Sequence, residues 1–493
     1  MPLEALFAHA RRDPAHVALV HNGDAWTYAA FARAIAQARA HLAGAGLRPR
    51  GLAVIAIDSL LDAWAASFAL RSLGFTTVAI DHHMDLAALG LGETSGVVVV
   101  EGLRHEAAES FARALGRTPV RLPATRLSAL AEGAVPAMPA AGTALAGHVV
   151  LTSGTTGAYK KVLREAGADL ERVGALADVF GFTESSVVCT GSLPLWTAGG
   201  YRWPRAAWTR GATVAVENSL QHHRPFRQLA VTHAFATPAM LAELLEAPEG
   251  TIRRNDAMRL VVTAGALPKA LADRARARLT RDLHTAYAST EASMVTMTRI
   301  DGDEDLLWHR PLDPGAIQVV DEAGRELPAG ALGHVRVRAS RGVEGYLGDE
   351  AATREFFHDG WFHPGDLGVR REDGRLCLQG RATDVINLLG NKIATGPLER
   401  ALQDGLGVAG ACLFAAPGGP DGDEVHVAIE SRKPVAREAL ADIARTSLSV
   451  FPRVHFHVVE ALPRNTMGKI KRLELRQTLL AGAAAGRPGD GAS

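Results

Sequence analysis

The stretch VVLTSGTTGAYKK, residues 149–161, passes from apolar β-formers into two glycines, four hydroxyls and a pair of lysines. Gly154 and Gly157 let backbone N–H groups bend around an anion. Thr152, Ser153, Thr155 and Thr156 add donors, and Lys160 or Lys161 adds positive charge, so the loop meets the requirements of a phosphate cradle. Its spacing is not G-x-x-x-x-G-K-[ST], because Ala158 and Tyr159 follow Gly157, and an ordinary P-loop nucleotidase is disfavoured. Four later segments carry complementary groups. In TAYASTEAS, Thr290 and Glu291 follow Tyr287 and small residues; a carboxylate beside a hydroxyl can hold a hard cation and touch a phosphate together. In DGWFHPGDLG, Asp366 follows Gly365 in a turn, a carboxylate suited to two ribose hydroxyls. LQGRATDVINLLGNKIA supplies Arg381, and LPRNTMGKIKR supplies Lys469 directly after a glycine. Any one of them could be a surface turn or a helix cap. Five in this order point to nucleotide chemistry.

The elements that must position these groups follow from pattern. GLAVIAI precedes SLLDAWAASFALRSLG and then TTVAI; RLVVTAG precedes KALADRARARL. Short β runs between amphipathic helices predict α/β architecture with largely parallel sheets. After about Gly315 the texture changes to short strands and turns, as in GHVRVRAS and GRLCLQG, and from about Thr383 helix and strand patterns alternate again. The expectation is a large N-terminal domain of α/β subdomains with a β-rich subdomain, residues 1–380. A small mobile α+β C-terminal domain, residues 381–480, and a disordered Gly-rich tail, residues 481–493, follow. At 493 residues the chain is too long for one compact core. Lys and Arg together number 53 and so do Asp and Glu, which argues against a nucleic-acid binder. Cys189, Cys377 and Cys412 are far apart and read as structural thiols in a reducing compartment. Arg11 and Arg12 precede any apolar run long enough for a signal peptide, and no segment has the length of a membrane span, so a cytoplasmic location is expected.

Taken together, these segments resemble the AMP-forming adenylating superfamily of acyl- and aryl-CoA synthetases, peptide-synthetase adenylation domains and luciferases, along almost the whole chain. TSGTTGAYK is similar to that family's phosphate loop, with Tyr159 where proline is usual; YASTE to its aromatic-x-x-Thr-Glu motif; GYLGDEAATREFFHDGWFHPGDLG to its ribose-aspartate signature; GRATDVI to its hinge; PRNTMGKIKR to its lysine loop. The resemblance implies that Thr152, Ser153, Gly154, Thr155, Thr156, Gly157 and Lys160 orient the β- and γ-phosphates of ATP. It places Thr290 on the α-phosphate, Glu291 on Mg²⁺, Tyr287 against adenine and Gly265 along the nucleotide. Asp366 would take the ribose hydroxyls with Arg381 supporting it, and Lys469 would reach the reacting carboxylate. Trp196, Thr197, Gly199, Phe235, Thr237, Ala264, Ala288 and Ser289 would shape the acid pocket, and Thr383 would be the hinge, where Asp or Lys is usual. Thr197 stands where a histidine is common, and GSLPLWTAGG lacks the acid that receives an α-amino group, so an α-amino acid substrate is disfavoured. The implied reaction is ATP-dependent activation of an aryl or medium-chain carboxylic acid through an acyl-adenylate, then thioester formation with CoA. The alternative acceptor is a carrier-protein phosphopantetheine. Lys392, Arg432, Lys433 and Arg453 leave a basic patch for CoA open. An inactive homologue acting as a binding module is the alternative of another class, against which Lys469, Glu291 and Asp366 all stand.

Other clusters invite chemistry less well. Asp81 to Asp85, DHHMD, and His222-His223 are adjacent ligands that rarely share one ion's geometry. His148 reads as a satisfied strand-end histidine. Ser153 and Ser289 have no His–Asp partner with motif support, which excludes a serine hydrolase. Arg274, Arg276, Arg278 and Arg281 read as a solvated helix face.

Overall fold

Apolar β-branched runs between glycine-ended helices assemble into two parallel-rich sheets. The computed structural model describes residues 2–47, 51–81, 84, 86, 88–91, 94–100, 106–126, 130, 132–137, 146–153, 159–219, 221–340, 343–388, 391–417, 423–451, 453–465 and 468–485. One sheet has the order Val120–Leu122, Thr94–Val100, Leu52–Ile55, Thr76–Ala79, His148–Ser153, Tyr159–Arg164. All neighbours are parallel except the last pair, an antiparallel hairpin in which Thr152 faces Lys160. The second has the order Thr298–Arg299, Leu283–Ala286, Arg259–Thr263, His233–Ala236, Val187–Cys189, Thr213–Val216, Val17–His21, Asp24–Thr27, parallel but for its edges.

A single core of buried residues joins both sheets, including Val54, Val98 and Val149 from the first and Leu19, Val188 and Val214 from the second. Helix Leu60–Ser72 lies inside it and is buried from Leu60 to Arg71, as expected of a helix apolar on every side. Trp208 closes the junction: its indole donates to the Ala18 carbonyl at 2.8 Å, and Phe31, Trp64 and Phe68 surround its ring.

The β-rich region is an antiparallel sheet built on Leu332–Val337, Asp366–Arg370 and Leu376–Arg381. The chain leaves this sheet after Arg381, through a short turn at Ala382–Asp384 that contains Thr383, into the hairpin Val385–Leu388 and Asn391–Ala394. Beyond it, strands Gly410–Pro417, Asp423–Glu430 and Val454–Val459 form a sheet with helices Thr395–Leu406, Arg437–Ser447 and Arg472–Ala485, a small α+β unit with its own core around Leu413, Val427 and Ile429. Two expectations need correction. The last helix runs to Ala485, into the stretch 481–493 expected to be disordered, because alanine favours helix more than a glycine-rich composition suggests; residues 486–493 lie outside those described. Arg274 and Arg278 are not simply solvated. Both donate to the Leu245 carbonyl, and Arg278 also reaches Ala247, so together they satisfy the C-terminal end of helix Pro238–Leu245.

Candidate active site

The hairpin expected to carry the phosphate loop stays paired up to Ser153 opposite Tyr159; Gly154, Thr155, Thr156 and Gly157 lie outside the described residues, and of Ser153 only the backbone is described. The hairpin fixes which lysine is available. Lys161 donates to the carbonyls of Leu89 and Gly90 at 2.6 and 2.8 Å. Lys160, one residue earlier and on the opposite face, places its ammonium 3.3 Å from the centroid of Phe356 and 5.0 Å from that of Tyr346. Burial lowers the pKa of Lys160, with Glu355 and Glu291 opposing the shift.

The Thr–Glu segment follows the strand Leu283–Ala286 as a tight two-strand turn, Ala288–Ser289 against Ser293–Met294. The Ser289 hydroxyl accepts from the Ala292 N–H at 2.9 Å. Arg202, buried on helix Ala198–Thr209, braces the turn from behind: it donates to the Ser293 hydroxyl at 2.6 Å and to the carbonyls of Ser289 and Thr290 at 3.2 Å each. Glu291 is buried and accepts from the Tyr346 hydroxyl at 2.8 Å. A carboxylate held this way suits a hard cation such as Mg²⁺, since the second oxygen keeps its acceptor capacity.

Deeper in, Arg205 and the Tyr201 hydroxyl both donate to Asp169, and His148 stacks on Tyr201 with centroids 4.3 Å apart. His148 bonds Thr77 at 2.8 Å, so the strand-end histidine is satisfied; burial pushes its pKa down to about 3, with Arg71 and Arg205 adding to the shift. Arg164, on the phosphate hairpin, is fully buried, and its three guanidinium nitrogens have no hydrogen-bond partner among the described residues. Burial pulls its pKa well down, Arg202 and Arg172 pull it further, and Asp169 and Glu291 oppose them. Among the described residues, buried arginines 71, 164, 202 and 205 thus outnumber the buried carboxylates facing them, Asp169 and Glu291, leaving a positive field behind the hairpin.

Asp366 begins its strand opposite Arg381 and is buried. The Tyr287 hydroxyl donates to one of its oxygens at 2.5 Å, and Arg381 Nε approaches the other at 3.0 Å. Arg381 also donates to the Pro364 carbonyl, which ties the turn before Asp366 to the strand across from it. Lys469 arrives from the C-terminal unit. Its turn is held by the Asn465 side chain, which accepts from the Lys469 N–H at 2.9 Å, and by Arg464, which donates to the Gly468 carbonyl at 2.9 Å. Gly468 has φ +77°, and a Cβ there would lie 3.1 Å from that of Ala239, so glycine alone allows the turn to seat against helix Pro238–Leu245. The Lys469 side chain stands in a cleft open to water, yet surrounding protein lowers its pKa by desolvation, Arg381 lowers it further, and Asp366 and Glu291 raise it. Those three partners place the lysine within electrostatic reach of both carboxylates.

The residues expected to shape an acid pocket are less uniform. Trp196 and Phe235 are buried; Tyr159 meets the Trp196 ring edge-on, and Phe235 stacks on Trp203 with centroids 4.1 Å apart. Thr197 and Thr237 cap helices Ala198–Thr209 and Pro238–Leu245, their hydroxyls accepting from the N–H groups of Gly200 and Met240. A Cβ on Gly199 would lie 2.8 Å from Leu193 and 3.2 Å from Trp203. Ala264, at φ +69°, is a non-glycine residue in the left-handed region next to exposed Gly265, a strained position of the kind found at binding sites. An open groove of about 530 Å³ nearby, between Leu163 and helix Glu350–Phe356, contains none of the predicted site residues.

A family model described as AMP-binding enzyme matches residues 6–347. The chain belongs to that family. Among curated relatives of this AMP-binding enzyme, the fatty acid–[acyl-carrier-protein] ligase ScoC of Streptomyces coeruleorubidus is 29% identical over 342 residues, 66% of each chain. The pyochelin synthase PchD of Pseudomonas aeruginosa is 28% identical over 97% of this chain and 92% of its own. In fold, the o-succinylbenzoate CoA synthetase MenE of Bacillus subtilis, solved with an acyl-adenylate intermediate, superposes with a TM-score of 0.79 at 22% identity, over 96% of this chain and 97% of its own. The amide bond synthetase McbA of Marinactinospora thermotolerans also reaches 0.79, at 23% identity over 96% and 99%. The chain is therefore an adenylating enzyme of the AMP-forming type with that family's α/β fold.

Several functional-looking residues of this AMP-binding enzyme were not picked out from sequence. Tyr346 lies in GYLGDE, and only its contact with Glu291 reveals its place. Trp203 is four residues beyond Gly199, and the two share a face only because the chain is helical over Ala198–Thr209. Arg202 carried no sequence signal at all. His222 pairs with Glu243 at 3.1 Å, while His82, His83 and Asp85 of DHHMD lie outside the described residues.

Proposed function

We propose that the protein activates an uncharged organic acid, aryl or medium-chain, by attack of its carboxylate on the α-phosphorus of ATP, giving an acyl-adenylate and pyrophosphate, and then passes the acyl group to the thiol of CoA. One observation carries the proposal: Lys469, from the C-terminal unit, sits within electrostatic reach of Glu291, Asp366 and Arg381 from the N-terminal sheets. Two anions must meet for the first step, and a carboxylate is a weak nucleophile toward a polyanion. The Lys469 ammonium would stabilise charge growing on the carboxyl and phosphoryl oxygens. Thr290 would contact the α-phosphate, held in place through its own carbonyl by Arg202. Lys160 and the hydroxyls of the 152–156 loop would hold the outer phosphates, above the positive field of Arg164 and its neighbours. Glu291, fixed by Tyr346, would ligate Mg²⁺; the ion supplies charge neutralisation on the phosphates when bound. Asp366 would share its carboxylate between Tyr287, Arg381 and the ribose hydroxyls, with adenine against the Tyr287 ring.

Trp196, Phe235 and Trp203 would wall the acyl cavity with aromatic surface, and Gly199, Ala264, Gly265, Ala288 and Ser289 would leave it room. Thr197 and Thr237 would contribute methyl surface, since their hydroxyls are engaged as caps. Residues 381–480 would form the mobile unit, swinging at Thr383 so that the thiol can replace Lys469 after the adenylate forms. A reducing cytoplasm would suit the three free, buried cysteines.

The second acceptor, a carrier-protein phosphopantetheine, is favoured by one observation: ScoC, matched over two thirds of this chain, is by name a ligase of the acyl carrier protein. Of the basic residues open to CoA, Arg453 is paired with Glu424 at 3.0 Å, while Arg432 and Lys433 are exposed and the Lys392 side chain is not described. Pyrophosphate release measured across an acid library, with ATP and Mg²⁺ alone, with CoA, and with a phosphopantetheinylated carrier, tests both. Release with no acid in the library would refute the adenylation chemistry. Release without thioester on either thiol would refute the second step alone.

A further inference from the structure

The sheet of the C-terminal unit carries a cluster that adenylation does not use. Strands Asp423–Glu430 and Val454–Val459 run parallel with His426 opposite His455 and Ala428 opposite His457. Because side chains alternate along a strand, Glu424 and His426 share one face with His455 and His457. The other face of the two strands faces the core through Val425, Val427 and Val454. Four ligand-type residues therefore stand together at one sheet surface, and ligand atoms of Glu424, His426 and His455 lie within 4.8 Å of one another.

We propose that Glu424, His426 and His455 bind a divalent transition-metal ion of the zinc class. Two imidazoles and a carboxylate are ligands for Zn²⁺, Co²⁺ or Ni²⁺, whereas Mg²⁺ and Ca²⁺ call for oxygen alone. An ion about 2.0–2.1 Å from each donor draws tetrahedral ligands to about 3.3 Å apart. One pair is already closer than that: His455 Nε2 lies 2.8 Å from Glu424 Oε2. The remaining adjustment falls on His455, whose side chain is 46% exposed. His426 is less mobile. It is buried, stacked on Phe414 at 5.3 Å and on His455 at 4.9 Å, and its Nδ1 is hydrogen bonded to His457 Nε2 at 2.9 Å.

That last bond is the arrangement a metal-ligating histidine uses to set its tautomer. An N–H at Nδ1 donating to His457 leaves Nε2 as the lone pair for the ion, and His457 acts as a positioning residue. Arg453 donates to Glu424 Oε1 at 3.0 Å, which leaves Oε2 for the ion. Arg476 of the last helix, with His455 and His457, surrounds His426. The cationic groups Arg453 and Arg476 make the site selective for an ion that forms coordinate bonds over one bound by charge alone.

The test uses the full, tag-free chain stripped with a chelator and titrated with Co²⁺, then with Zn²⁺ as competitor. Expected is one Co²⁺ per chain with the intense visible absorption of a tetrahedral nitrogen–oxygen site, displaced by Zn²⁺ and retained in Glu291→Gln, which separates it from the nucleotide's Mg²⁺ ligand. His455→Ala and Glu424→Gln should each weaken binding by about 10- to 100-fold, and His457→Ala by about 10-fold. Zn²⁺ should raise the melting temperature of the wild type but not of His455→Ala, whose exposed position spares the core. Wild-type Co²⁺ binding in His455→Ala, or an absence of tetrahedral absorption in the wild type, would overturn the site.

Discussion

Replacing Lys469 with alanine removes a cationic group that the C-terminal unit sends toward both Asp366 and Glu291, and the size of the effect can be worked out beforehand. A unit charge 4 Å from developing negative charge is worth about 4 kcal/mol at an effective dielectric near 20, and about 1 kcal/mol in bulk water. The lysine is open to water before substrates enter, and bound nucleotide and acid would displace that water, so the interaction should strengthen as the reaction proceeds. Arg381, close enough to lower the lysine's pKa, keeps some positive charge in place. The expected loss is that of one preorganised donor, about 2.7–4 kcal/mol or 10²- to 10³-fold in adenylate formation. Nucleotide affinity should barely change, because the phosphate loop, Glu291 and Asp366 belong to other elements. The assay is ATP–pyrophosphate exchange with an acid found by screening, alongside nucleotide binding by calorimetry. The pH dependence is a second readout. The protonated lysine is the active form and its pKa is lowered, so exchange should be full below that value and fall as pH rises through it, earlier than an ordinary lysine near 10.4 would allow. Lys469→Arg should keep partial activity and remove the alkaline fall. Exchange within a few-fold of wild type in Lys469→Ala would refute the assignment.

Three further outcomes are expected. Tyr346→Phe strips a hydrogen bond from the buried Glu291 carboxylate, a contact worth about 1.5–3 kcal/mol; the Mg²⁺ concentration for half-maximal exchange should rise, and denaturant titration should show a loss of stability in that range. Asp169→Asn leaves Arg205, Arg71 and their neighbours without the buried carboxylate that they hold ionised, and denaturant titration should show a loss of about 3–5 kcal/mol. The folded-state pKa of His148, about 3, lies below its ordinary 6.5, so its contribution is complete above pH 6.5 and is lost as pH falls from 6.5 toward 3. Stability should drop by up to about 1.4 kcal/mol per pH unit there on its account, and His148→Asn should flatten the slope.

Much of the site is written in short stretches because its chemistry depends on neighbours in the chain. A glycine at 468 with positive φ, a hydroxyl beside a carboxylate at 290 and 291, and a strand followed in sequence by a glycine- and hydroxyl-rich stretch from 154 are all local facts. The change from helix–strand alternation to short antiparallel strands is local too, since it is carried by periods of 3.6 and 2 residues. These suffice for the fold class and for the residue types of an adenylating site. They do not say which lysine of the pair at 160 and 161 is available, because that depends on the Leu89 and Gly90 carbonyls, seventy residues away. Nor do they place Tyr346 on Glu291, Arg202 under Thr290, Trp203 against Phe235, or Arg278 at the end of another helix. Each of those contacts depends on which elements pack together. The histidine cluster separates the two levels most cleanly. His455 and His457 are visibly on one face of a strand from their spacing alone. His426 and Glu424 join them through the parallel register of a second strand, about thirty residues back in the chain. That register is set by burying Val425, Val427 and Val454 in the core beneath, and such a choice exists only once the sheet has formed.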